Sequence, residues 1–120
     1  MKKKTSSRSS RKLPCRFKKF REDYPRIMDA YEALGAATQE EGPLTLKERA
    51  LVKLGIAAGA RLEGAVHSHA RRAFEVGCAP AEIRHAVLLA ATTIGFPGMM
   101  AALSWVDDVL AGDAHRCGSS

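Results

Sequence analysis

Leu62-Glu63-Gly64-Ala65-Val66-His67-Ser68-His69-Ala70-Arg71-Arg72 reads as the start of one helix that continues to about Val76 and stops at Gly77. Glycine past the last helical residue is the usual helix stop. Leu62, Val66, Ala70, Ala73 and Phe74 recur at helical spacing and are expected to face inward. The same helix carries Glu63, His67, His69, Arg71 and Arg72, the densest group of chemically useful side chains in the chain.

The neighbouring segments read as partners for that helix. Before it, Thr45-Leu46-Lys47-Glu48 fits a capping box, in which the Thr hydroxyl and the Glu carboxylate each satisfy a free backbone N–H. Leu51, Leu54 and Ala58, with Val52 and Ile56, then form a wide apolar face. Gly55 and Gly59 are spaced to allow close helix approach, and Gly59-Ala60-Arg61 marks the break. After it, Pro80 and Glu82 open a further helix, favoured by the fixed φ of proline and by the helix dipole. Ile83, Ala86, Val87, Ala90 and Ala91 make that segment apolar nearly all round, up to Gly95-Phe96-Pro97-Gly98. A last helix runs from about Pro97 to Leu110 with Met100, Leu103, Val106 and Leu110 as its stripe. Met99, Met100 and Trp105 read as core or subunit interface, and His85 as exposed.

Upstream, Asp23 can cap a helix whose Pro25 sits in the first turn. Ile27, Tyr31 and Leu34 give it an apolar stripe, and Gly42-Pro43 ends it. No segment alternates with the period of a strand, and no repeat is visible. The expectation is an all-α fold, one compact bundle of about five short helices over residues 21–112, between a basic disordered arm (1–20) and a short tail (113–120).

Charge is divided unevenly. Residues 1–21 hold ten of the nineteen Lys and Arg and no acid, whereas residues 22–120 hold nine Lys and Arg against thirteen Asp and Glu. A basic arm over residues 2–21 is suited to nucleic acid or an anionic surface, but the acidic body offers no basic stripe to extend it and no groove-reading helix. A solvated extension is the simpler reading. The N-terminus lacks the apolar run of a secretory signal, and its Arg/Ser richness only faintly resembles an organelle transit peptide. No stretch reaches the roughly 18 apolar residues of a membrane span. Cys15, Cys78 and Cys117 are odd in number and widely spaced, which fits neither a disulfide framework nor a zinc pattern. A reducing cytoplasm is the expected compartment.

Thr45 to Leu110 resembles the carboxymuconolactone decarboxylase family, which includes the alkylhydroperoxidase D-like proteins. The resemblance is carried by Leu44-Thr45-Leu46-Lys47-Glu48-Arg49, by His69-Ala70-Arg71-Arg72-Ala73-Phe74-Glu75-Val76-Gly77, by Pro80-Ala81-Glu82-Ile83 and by Ile94-Gly95-Phe96-Pro97. It implies an all-α homo-oligomer, usually a trimer or hexamer. It also implies one of two chemistries: peroxide reduction by a Cys-x-x-Cys-x-x-x-His motif with a supporting Glu, as in peroxiredoxin-type antioxidant proteins, or acid/base decarboxylation of a muconolactone. If His69 is the motif histidine, the two cysteine positions fall on Leu62 and Ala65 and the Glu position on Ala50. The dithiol route is therefore not expected, because its thiolate nucleophile is missing.

His69 is the leading candidate for a general acid/base, since imidazole titrates near neutral pH. Glu63 and His67 are i, i+4 and assist it in this reading, while Arg71 and Arg72 suit a carboxylate substrate by bidentate pairing. The plainer alternatives are a packing histidine, a surface Glu–His pair and solvated arginines paired with acids such as Glu75. His67 and His69 diverge by about 200° on a helix, so no metal site is expected, and no cofactor is implied. The competing reading for the whole chain is a non-catalytic oligomeric binding or scaffolding member of the family. A peroxidase using Cys78 is the least favoured.

Overall fold

The structure is a computed structural model and describes residues 15–112. Two compact units divide the described chain, with the boundary between Gly42 and Pro43. The first holds α1 (Cys15–Asp23) and α2 (Pro25–Glu40). The second holds α3 (Leu46–Gly59), α4 (Glu63–Glu75), α5 (Pro80–Leu88), the four-residue α6 (Ala91–Ile94) and α7 (Phe96–Leu110). The described residues form helices and turns and no strand, in agreement with the all-α expectation.

The first unit departs from the expectation in three ways. Helix α1 occupies Cys15–Asp23, the end of the stretch expected to be disordered, and residues 1–14 lie outside the described residues, as do 113–120. The N-cap of α2 is Tyr24, with Pro25 in the first turn and no side-chain capping bond, so Asp23 does not cap it. Asp23 pairs instead with Lys19 one turn earlier at 3.0 Å. The expected stripe of Ile27, Tyr31 and Leu34 is exposed, Tyr31 to 68%. The buried residue of α2 is Met28, one position round from that stripe. Arg21 of α1 pairs with Glu32 of α2, and the rings of Phe20 and Tyr24 pack with centroids 5.1 Å apart.

In the second unit the capping box at Thr45 is complete. The Thr45 hydroxyl accepts from the Glu48 N–H at 3.1 Å, and the Glu48 carboxylate accepts from the Thr45 N–H at 2.9 Å. Helix α3 then buries Ala50, Leu54, Ala57 and Ala58, while Val52 and Ile56 are exposed. The apolar face is thus narrower than composition suggested. The chain leaves α3 through Arg61 at φ 60, a left-handed conformation that non-glycine residues seldom adopt.

Helix α4 buries Val66, His67, Ala70 and Ala73. Leu62 and Phe74, expected inside, are exposed: Leu62 stands at the N-cap, ahead of the first helical turn, and Phe74 lies outside the buried stripe. Gly77 adopts φ 102 and ends the helix as expected. Helix α5 opens on Pro80, with the Glu82 carboxylate accepting from the Ala79 N–H at 2.7 Å. Ile83 and Val87 are buried, but the helix stops at Leu88, and Leu88 and Leu89 are exposed. Gly95 at φ 94 then turns the chain into α7. Helix α7 buries Gly98, Met99, Ala102 and Val106, whereas Met100 is exposed. The buried line therefore sits one residue away from the expected stripe at its start and coincides with it at Val106.

The core is built mainly from α3, α4, α5 and α7, with Leu54, Ile83, Val66, Val87 and Val106 as its largest fully buried side chains. Each such burial stabilises by about 1.5–3 kcal/mol. Alanines fill the remaining contacts, at Ala57, Ala58, Ala70, Ala73 and Ala102. A Cβ at Gly55 or at Gly59 would meet open space, so these glycines do not mediate the close helix approach expected of them. Two substitutions test this account by urea unfolding. Leu54→Ala is expected to cost roughly 2–5 kcal/mol, because it leaves a cavity at the centre. Thr45→Ala is expected to cost about 1 kcal/mol through the lost cap.

Candidate acid/base site

The polar residues of α4 do not gather at one point. A helix turns by about 100° per residue, so His67 and His69 leave it in different directions. His67 is 7% exposed, a polar group inside the core stripe. Its Nε2 lies 4.0 Å from Glu63 Oε2, one turn earlier on α4, and 3.9 Å from Asp108 Oδ2 on α7. Glu63 and His67 therefore come together as their spacing implied, and a third residue from another helix joins them.

His69 is half-buried and faces a different environment. Burial lowers its pKa from the ordinary 6.5, and the Lys53 ammonium on α3 lowers it further, since both penalise the imidazolium. At neutral pH His69 is thus a neutral imidazole, able to take a proton, held in the field of a cation. That combination suits an acidic ligand: the ammonium attracts the anion and the imidazole exchanges a proton with it.

Arg72 sits 3.8 Å from Glu75 on its own helix, so part of its charge is offset there. Arg71 is half-buried on the same helix. Cys78 is 2% exposed, and its thiol donates weakly to the Lys47 carbonyl at 4.0 Å. Burial raises its pKa, Glu82 raises it further, and Lys47 acts in the opposite sense. Raising the pKa removes the thiolate that peroxide chemistry needs. The positions matching the family's cysteines, Leu62 and Ala65, carry no thiol, and Ala50 at the matching Glu position is buried in the core. His85 is exposed. Among the described residues, no group of three or more His, Cys, Asp or Glu is placed to hold a metal ion. No helix among them is long and apolar enough to cross a membrane.

Lys53 and Asp108 are the two residues that reading the sequence missed. Lys53 interrupts the apolar run Leu51-Val52-Lys53-Leu54, and Asp107-Asp108 interrupts Trp105-Val106…Val109-Leu110. A charge set inside an apolar run was the available signal in both cases, but its partner lies on another helix.

An α-helical domain with a histidine-bearing central helix and no dithiol is the class that fold and site define. The sequence matches the carboxymuconolactone decarboxylase family over residues 25–108, and the chain belongs to that family. An uncharacterized protein of Haemophilus influenzae is 42% identical over 50 residues, a match that spans 42% of this chain and 44% of the relative. The crystal structure of a carboxymuconolactone decarboxylase family protein from Legionella pneumophila, in its apo form, superposes with a TM-score of 0.72 at 20% identity. That superposition covers 82% of this chain and 88% of the other. At such low identity it shows a shared fold.

The titration of His69 tests the site. Lys53→Met is expected to raise the His69 midpoint, read by NMR. The effect on stability has a definite sign. With the folded value below the unfolded one, the unfolded chain takes up the proton first. His69 therefore contributes stability that is complete above 6.5 and declines as the pH falls through the folded value. Thermal melts between pH 7 and 5 should show a shallower decline in His69→Gln than in the wild type.

Proposed function

We propose that this chain is a small acid/base enzyme of the decarboxylase type, acting on a small carboxylated substrate. The observation that carries the reading is the neutral, half-buried imidazole of His69 beside the Lys53 ammonium. His69 takes and returns the proton, and Lys53 holds the substrate's carboxylate. Arg71, two positions beyond His69 on α4, leaves the helix about 200° away and is not counted in this site. The absence of thiols at Leu62 and Ala65 and the buried, weakly acidic Cys78 argue against a peroxidase.

A second reading has its own support. Ile27, Tyr31, Leu34, Ile56, Leu89 and Phe96 are all exposed large apolar side chains. Such surface favours self-association, and a non-catalytic oligomeric scaffold would use it without any chemistry at His69. A homo-oligomer suits both readings.

Carboxylated lactones and related acids are the compounds to assay for binding and turnover. The enzyme reading expects His69→Ala to lower kcat by about 10²–10⁴-fold with binding largely kept. It expects Lys53→Met to raise Kd or KM instead. If no such acid binds or reacts while sedimentation shows an assembled oligomer, the enzyme reading fails and the scaffold stands.

A further inference from the structure

We propose that the stripe Tyr24, Ile27, Tyr31 and Leu34 on α2 is the surface by which two copies of this chain pair, helix against helix and antiparallel. The inference depends on neither reading of the chemistry above, since a homo-oligomer suits both.

Helix α2 has two lengthwise faces, and the less apolar one is covered. Met28 is buried, and Glu32 and Gly35, one and two turns further on, are half-buried. On the adjacent side Tyr24, at the N-cap, and Ile27, Tyr31 and Leu34 are each more than half exposed. Single exposed apolar residues are normal, but a continuous line of four large ones marks an interaction surface. Their spacings are three, four and three residues, and a further step of four reaches Thr38. That alternation is the seam along which one helix packs on another. Small residues border it: Ala30 and Ala37 are exposed, and a Cβ on Gly35 would meet open space. Such borders let a second helix backbone come close.

Charge selects the occupant and its direction. Residues 16–26 hold Arg16, Lys18, Lys19, Arg21 and Arg26 against Glu22 and Asp23, whereas the far end of α2 carries Glu40 and Glu41. A parallel pair would set like ends together. An antiparallel pair sets the basic end of each copy beside the acidic end of the other. The surface is then complementary to itself reversed, which is what a two-fold interface between identical chains requires.

The midpoint of α2 falls between Glu32 and Ala33. With midpoints together, Tyr31 meets the partner's Leu34 near the axis, and Ile27 meets the partner's Thr38. The four large side chains offer roughly 100 Å² each, so with the small borders a pair covers about 1,000 Å², the lower end of a specific interface.

Sedimentation of the full chain at micromolar concentration tests the pairing. The wild type should form a dimer or an even multiple of it. Tyr31→Glu and Leu34→Glu should each halve that mass with helicity by circular dichroism retained. Ala36→Glu, exposed on the opposite side of α2, should leave it unchanged. A monomeric or trimeric wild type overturns the proposal. So does a mass that survives both stripe variants, which would place the contact elsewhere. A fall in Tm on Tyr31→Glu at unchanged mass also overturns it, because the chain's own residues would then cover the stripe. If the charged variants do not fold, Tyr31→Ser replaces them: a dissociation constant raised at least about tenfold supports the seam, and an unchanged one overturns it. Direction is read by disulfide trapping in a Cys15→Ser, Cys117→Ser background. Tyr31→Cys should link to itself, and Ile27→Cys should link to Thr38→Cys but not to itself. Ready self-linkage of Ile27→Cys overturns the antiparallel arrangement.

Discussion

Close contact between alanine-bearing helix faces is the constraint on which the rest of the second unit depends. Ala57 and Ala58 of α3, Ala70 and Ala73 of α4, and Ala102 of α7 are all buried in one core. Small side chains let helix backbones approach, and densely packed interiors give little room for added methyl groups. Leu54, Val66, Ile83, Val87 and Val106 supply most of the apolar area, but the alanines set the separation at which those larger groups meet. A polar residue can enter such a core only with partners. His67 does so, and it meets Glu63 and Asp108 at the edge of the α4–α7 contact.

The surroundings of each α4 residue depend on which side of the helix it leaves from. One side carries His69 toward Lys53 and a partly solvated setting, where burial and a like charge keep the ring neutral. The other carries His67 toward two carboxylates, Glu63 and Asp108. The same residue type, two positions apart, thus meets a lysine of α3 on one side and carboxylates of α4 and α7 on the other. The carboxymuconolactone decarboxylase family supplies the helical frame, and within it this chain carries Leu62 and Ala65 at the positions matching the dithiol.

Much of the second unit was legible because its signals are local. The capping box at Thr45, the stop at Gly77, the Pro80 start and the Gly95 turn each depend on a few adjacent residues, and all appear where the sequence placed them. The errors concern facing. Phe74, Met100, Ile56 and the Ile27–Tyr31–Leu34 stripe are apolar at helical spacing, yet they are exposed. Periodicity says which residues share a side of a helix, but not which of two adjacent apolar sides another helix covers. In the alanine-rich core the smaller side chains took the covered side. The site was half legible for a related reason. Glu63 and His67 are one turn apart, so their meeting could be read from spacing. Lys53 and Asp108 reach the histidines from other helices, and their roles depend on tertiary packing alone.

Arg61 has a consequence for how this sequence can drift. Its backbone is left-handed at φ 60, and its guanidinium donates to the Ile94 carbonyl at 3.2 Å, just ahead of the turn into α7. A Cβ on Gly98 would lie 2.9 Å from that guanidinium and equally close to the Ile94 side chain. The arginine side chain thus fills the space beside the glycine. Glycine at 61 would relieve the backbone but release the carbonyl, and alanine at 98 would displace the arginine. The two positions touch, although 36 residues of intervening chain hide the contact from any local reading of the sequence. A methyl group at 98 would have to push aside the ends of Arg61 and Ile94, so a change there reaches the α3–α4 corner through the arginine.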